Sequence, residues 1–101
     1  MDRFAILAAL EAKPGKENEV EQFLKSALPL VLLQEVGTTT WFAFRVAPTT
    51  FRIFDTFASE EGRQAHLTGE IARALMAKAE ELFAKPPQIE QMDVLAAKPL
   101  N

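Results

Sequence analysis

The chain has 101 residues, 49% hydrophobic and 25% charged, with 11 basic against 14 acidic side chains and no cysteine. That is the length and balance of one globular domain spanning residues 1–101; the net charge of −3 excludes a nucleic-acid module with a phosphate-neutralising face, and the missing cysteines exclude a disulfide scaffold, a thiolate zinc site and a cysteine nucleophile. A lone chain of this size buries only roughly 65% of its unfolded surface, yet eight of its residues are phenylalanine, so either the core is rich in large side chains or a second chain covers part of the apolar surface.

The run Phe4 to Leu10 is too short to cross a membrane and meets Glu11 and Lys13 rather than a cleavage site, so a cytoplasmic protein is expected. Residues 3–13 read as a strand, apolar on both parities as suits a strand covered on both faces. Lys13-Pro14-Gly15 ends it, and a helix is expected from Lys16 to Gln34. Val20, Phe23, Leu24, Ala27 and Leu28 form its buried stripe, and Pro29 predicts a kink or restart before Leu30 to Leu33. Gly37 fits the position just past the helix end.

Thr38 to Ala47 is the clearest strand, rich in threonine and aromatic residues, and Pro48-Thr49-Thr50 connects it to a second strand from Phe51 to Ala58. In that second strand Phe51, Ile53, Asp55 and Phe57 share a face, with Phe54 opposite. Ser59 is a plausible N-cap for a short helix reaching Leu67; a longer helix follows from Glu70 to Ala84 with Ile71, Leu75, Ala79, Leu82 and Phe83 inward. Lys85-Pro86-Pro87 stops it, Gln88 to Ala97 reads as a last strand, and Lys98 to Asn101 as a tail.

Strand, helix, two strands, helix, strand is the ferredoxin-like α+β order βαββαβ: an antiparallel sheet with its helices on one face. The other face keeps large apolar groups whichever parity is assigned to it, which predicts a homodimer through the sheet face.

Pro14-Gly15-Lys16 opens the first helix and Glu35-x-Gly37 ends it; Trp41 follows four residues later, then Asp55, Ala65-His66-Leu67, and Pro86-Pro87 before the last strand. From about residue 4 to residue 95 this order and spacing resembles the antibiotic-biosynthesis monooxygenase domain, a dimeric α+β barrel family. The resemblance implies that the last strand contributes to the partner's barrel. It also implies an enzyme that oxidises a quinol-like or phenolic aromatic with molecular oxygen, using no metal, flavin or haem. Many members carry a second histidine about five residues after the first; this chain has Gly69-Glu70-Ile71-Ala72 there. Nor does it have the histidine and first-strand asparagine that the haem-degrading relatives use.

His66, the only histidine, is the candidate base or substrate anchor because an imidazole titrates near neutrality, and Asp55 is the candidate to orient it. Trp41 would line the substrate pocket with an indole N–H to donate, and Phe57 and Phe54 complete the expected substrate-contacting set. One histidine and scattered carboxylates give no metal cluster, so no metal or other cofactor is expected, and the partners are a second copy and a small aromatic molecule, neither nucleic acid nor membrane. The alternative is a non-catalytic dimeric binding or stress-associated domain of the same fold.

Overall fold

Strand β1 (Phe4–Glu11) lies inside a four-stranded sheet, paired antiparallel with β3 (Thr50–Phe57) on one side and β4 (Gln88–Asp93) on the other. β2 (Thr38–Ala47) pairs antiparallel with β3 at one edge, giving the order β2-β3-β1-β4. Helix α1 (Glu17–Gln34) connects β1 to β2, and α2 (Glu60–Leu67) and α3 (Glu70–Leu82) connect β3 to β4. The computed structural model describes residues 3–98, so the expected tail lies outside the described residues from Pro99 onward. The arrangement is the ferredoxin-like α+β fold, with its second helix broken in two at Gly69.

The register sorts the side chains. Ile6, Ala8 and Leu10 stand opposite Asp55, Ile53 and Phe51, and all six are buried under the helices. α1 buries Val20, Leu24, Ala27 and Val31, spaced four, three and four residues apart, and α3 buries Ile71, Leu75 and Leu82. Fully burying a side chain of Leu or Phe size contributes about 1.5–3 kcal/mol, which makes Phe51 and Phe57, 2% and 0% exposed, principal anchors of the sheet. Phe42 and Phe54 pair on the opposite face. There the ring of Phe42 stacks on Phe44 and Phe54 at centroid separations of 5.9 and 6.5 Å, with Phe42 and Phe44 left 40% and 47% exposed.

Several boundaries differ from expectation for identifiable reasons. α1 runs unbroken through Pro29, which lies on its exposed side, where the Lys25 carbonyl freed by the missing N–H can meet water. Leu28 belongs to that exposed side rather than to the core. β3 starts one residue early, because Thr50 pairs with both Ala47 and Glu11. α3 ends at Leu82 because Phe83 turns extended and bridges to Ala12. β4 stops at Asp93 instead of Ala97, since its partner strand begins at Phe4, opposite Asp93.

Two glycines fix how the helices meet the sheet edge. A Cβ on Gly37 would lie 2.8 Å from the Gly62 Cα, and one on Gly62 would lie 3.0 Å from the Gly37 carbonyl oxygen. The turn after α1 therefore touches α2 backbone to backbone, an approach that any side chain would block. Gly37→Ala is expected to lower stability by about 1–3 kcal/mol, as overpacking does in a tight contact. Urea unfolding checks this; an unchanged midpoint would show that the contact yields freely.

Candidate functional site

Four elements converge beneath the helices. Asp55 lies midway along β3, and Trp41 on β2 is its direct cross-strand partner. His66 stands in the last turn of α2, where a basic group suits the negative end of the helix. α2 is set in place by Ser59, whose Oγ accepts from the Gly62 N–H at 3.1 Å, and by Arg63, which donates to the Met92 carbonyl at 3.1 Å while paired with Glu60. Glu35 caps the C-terminal end of α1.

The imidazole sits between two carboxylates. Nε2 lies 2.8 Å from Asp55 Oδ2, close enough for an ion pair although not aligned as a hydrogen bond. Nδ1 is in contact with Glu35 Oε1, which also accepts from Thr38 Oγ1 at 3.0 Å. The His66 and Glu35 side chains are each 11% exposed and Asp55 is 1% exposed. Phe57 packs against the histidine, its ring centre 5.4 Å away. The ring occupies the centre between the carboxylates, so the three groups do not converge on a point where a metal could sit; among the described residues no such cluster exists.

His66 borders two spaces. Inside, with Asp55, Trp41 and the core side chains Ile53 and Ile71, it lines a cavity of about 50 Å³. Outside, with Glu35 and Glu70, it lines a surface depression of about 280 Å³. Neither space is lined by a lysine or arginine among the described residues, so the imidazole is the one side chain there able to carry positive charge. Among the described residues, Asp55 Oδ1 and Trp41 Nε1 are buried with no hydrogen-bond partner. Leaving such a group unsatisfied costs about 1–3 kcal/mol, and an acceptor and a donor unpaired on one cavity wall suit a ligand that offers both.

Of the residues singled out from the sequence, the structure brings His66, Asp55 and Trp41 to one cavity, with Phe57 behind the histidine. Phe54 is not among them: alternation along β3 puts it on the opposite face of the sheet, against Phe42. Glu35 is the residue that sequence reasoning missed as a site residue. The signal was an acid at the C-terminal end of a helix with no basic residue in its last turn, where the helix dipole disfavours negative charge.

Burial works against protonating His66, but Asp55 and then Glu35 outweigh it and hold the imidazole above its ordinary pKa of 6.5. A raised folded-state value means that the charged ring stabilises the fold fully below the unfolded value and loses that contribution as pH rises through the folded one. The stability difference between wild type and His66→Gln is therefore expected to be largest below about pH 6 and to narrow in alkaline buffer. Urea titrations across pH measure it, and a difference that widens with pH would contradict the charge assignment.

No family model matches the chain, and no curated protein matches it. Solved structures do. NE2512, a protein of unknown function from Nitrosomonas europaea, is 53% identical, with all of this chain and 97% of that one covered and a TM-score of 0.94. A Caulobacter crescentus protein named after the antibiotic biosynthesis monooxygenases is 21% identical over 94% of this chain and 92% of its own, with a TM-score of 0.80. Rv0793 from Mycobacterium tuberculosis is 15% identical over 96% of this chain and 99% of its own, with a TM-score of 0.84. The chain belongs to one family with NE2512 and has the fold of the antibiotic biosynthesis monooxygenases.

Proposed function

We propose that the chain takes a phenolic or quinol-like molecule at the Asp55–His66 cavity and oxidises it with molecular oxygen, using no cofactor. The observation that carries this reading is the unpaired couple on the cavity wall, the Asp55 Oδ1 acceptor and the Trp41 Nε1 donor. One hydroxyl satisfies both, donating its proton to Asp55 while its oxygen accepts from the indole. Both nitrogens of His66 are engaged by carboxylates, so the ring has no free lone pair for a ligand and Asp55 is the better base. As the hydroxyl proton passes to Asp55, negative charge moves onto the ligand beside a preorganised imidazolium. The electron-rich phenolate then reacts with oxygen: one oxygen atom becomes the new ring carbonyl, and the other leaves as water with the hydrogens lost from the ring carbon and the hydroxyl. All four electrons come from the substrate, so the step needs no reductant.

Size constrains the ligand. The inner cavity of about 50 Å³ is well below the ~150 Å³ of an engineered cavity that admits benzene. A groove of about 560 Å³ between α1 and β2 shares Leu24 and Trp41 with it and is lined by Leu28, Phe42 and Phe44. In this reading the aromatic body occupies that groove and its hydroxyl reaches the inner cavity beside Trp41, which borders both spaces.

Oxygen uptake with 1-naphthol and a hydroquinone panel tests the reading. Asp55→Asn should slow uptake by about 10²–10⁴-fold, as loss of a general base does. Trp41→Phe should weaken naphthol binding by roughly 2- to 12-fold, one hydrogen bond's worth. No uptake by the wild-type protein on any member of the panel would contradict turnover. The small inner cavity favours a second reading, a binding domain without catalysis, and a ligand-dependent rise in melting temperature without oxygen uptake would support it.

The sheet face away from the helices supports a homodimer. Phe42, Phe44 and Phe54 stack there, with Phe42 and Phe44 each more than a third exposed. A second copy laid on that face removes these rings from water. Sedimentation is expected to show a dimer at micromolar concentration and a monomer for Phe42→Asp combined with Phe54→Asp. A wild-type monomer under those conditions would overturn the assembly.

A further inference from the structure

We propose that Glu35 is a positioning residue of this site: it holds the His66 ring through Nδ1, so that Nε2 stays on Asp55 and the ring stays charged while a ligand's proton moves to Asp55. This rests on the acid–base reading of the cavity given above.

The position is built from several directions. Oε1 of Glu35 is held both by the ring and by the Thr38 hydroxyl, which donates to it at 3.0 Å. The second oxygen, Oε2, lies beside Gly69, the N-cap of α3, where an added Cβ would stand at an ordinary contact distance of 3.7 Å. The Gly37–Gly62 contact brings the end of α1 against α2, two residues after Glu35 and one turn before His66. Glu35 also stands at the unfavourable end of its own helix dipole, so its placement is paid for by the ring it meets.

The charged groups around the ring are Asp55 from β3, Glu35 from the end of α1 and Glu70 from the first turn of α3, with no lysine or arginine among the described residues lining either space. Asp55 and Glu35 touch the ring, whereas Glu70 only borders the outer depression. When Asp55 takes a proton it no longer supports the ring's charge. Glu35, on the far side from the ligand, then keeps its charge and continues to hold the imidazolium. A carboxylate there thus separates holding the ring from accepting the ligand's proton.

The test is Glu35→Gln, which keeps the size of the side chain and removes its charge. In oxygen uptake, the alkaline limb of the pH profile should move to lower pH, because an adjacent opposite charge that favours the protonated ring is lost. Below that limb the rate should return to within about threefold of wild type, since acid restores what Glu35 supplies. Glu35→Asp should place the limb between the two. A merely structural role predicts a lower rate at every pH with the limb unmoved, and that result would overturn the proposal. Proton NMR of the His66 ring reads the same property without turnover: its titration midpoint should fall in Glu35→Gln. A lowered midpoint in a protein that consumes no oxygen would leave the Glu35 role standing and remove the oxidation reading. An unmoved midpoint would overturn the Glu35 role. Should Glu35→Gln fail to fold, Glu35→Asp, which keeps the charge but shortens its reach to Nδ1, should lower the midpoint by a smaller amount, and no shift there would likewise overturn it.

Discussion

A single imidazole ring held between two carboxylates is the interaction on which this structure turns. Asp55 is a fully buried acid in the middle of a sheet, a position where charge is costly unless it is paired. His66 pairs it, and Glu35 engages the other ring nitrogen. Three segments far apart in sequence, the end of α1, the middle of β3 and the last turn of α2, are tied together through that ring. The same tie that neutralises a buried charge gives the cavity its only cationic side chain among the described lining residues.

The fold delivers the three groups by local means. Strand alternation turns Asp55 toward the helices and sets Trp41 across from it. The Ser59 cap fixes where α2 starts, and Arg63 fastens it to the β4 backbone, which together fix where His66 lands. Backbone contact at Gly37 and Gly62 closes the remaining gap to Glu35. The buried polar groups left unpaired, Asp55 Oδ1 and Trp41 Nε1, are the places where local satisfaction has been given up, and sites of that kind are where function is commonly found.

Much of this was legible in the residues alone, and the reasons are physical. Hydrophobic periodicity, the Ser59 cap and the Pro-Gly punctuation mark the four strands and three helices of the described residues, and the alternation of Phe51, Ile53, Asp55 and Phe57 already places Asp55 on a buried face. That same alternation separates Phe54 from the cavity, so grouping it with the substrate contacts went against its own parity. Leu28 misleads because α1 is apolar beyond the stripe it buries, with Leu32 and Leu33 also exposed. Glu35 stayed hidden because its partner is 31 residues away and nothing periodic links a helix cap to a later helix. Its one local mark, an acid at the wrong end of a helix, reads as a flaw until the ring beside it is seen. The two-fold contact at Gly37 and Gly62 is likewise a tertiary fact that turn chemistry alone does not announce.

The most direct test of the account is the protonation state of the His66 ring in the wild-type protein. Nitrogen-15 NMR of the imidazole at neutral pH distinguishes a ring protonated on both nitrogens from either neutral tautomer. The account predicts a titration midpoint above the ordinary 6.5, with both nitrogens protonated below it and both resonances moving together as the ring is titrated in more alkaline buffer. A midpoint at or below 6.5 would contradict it.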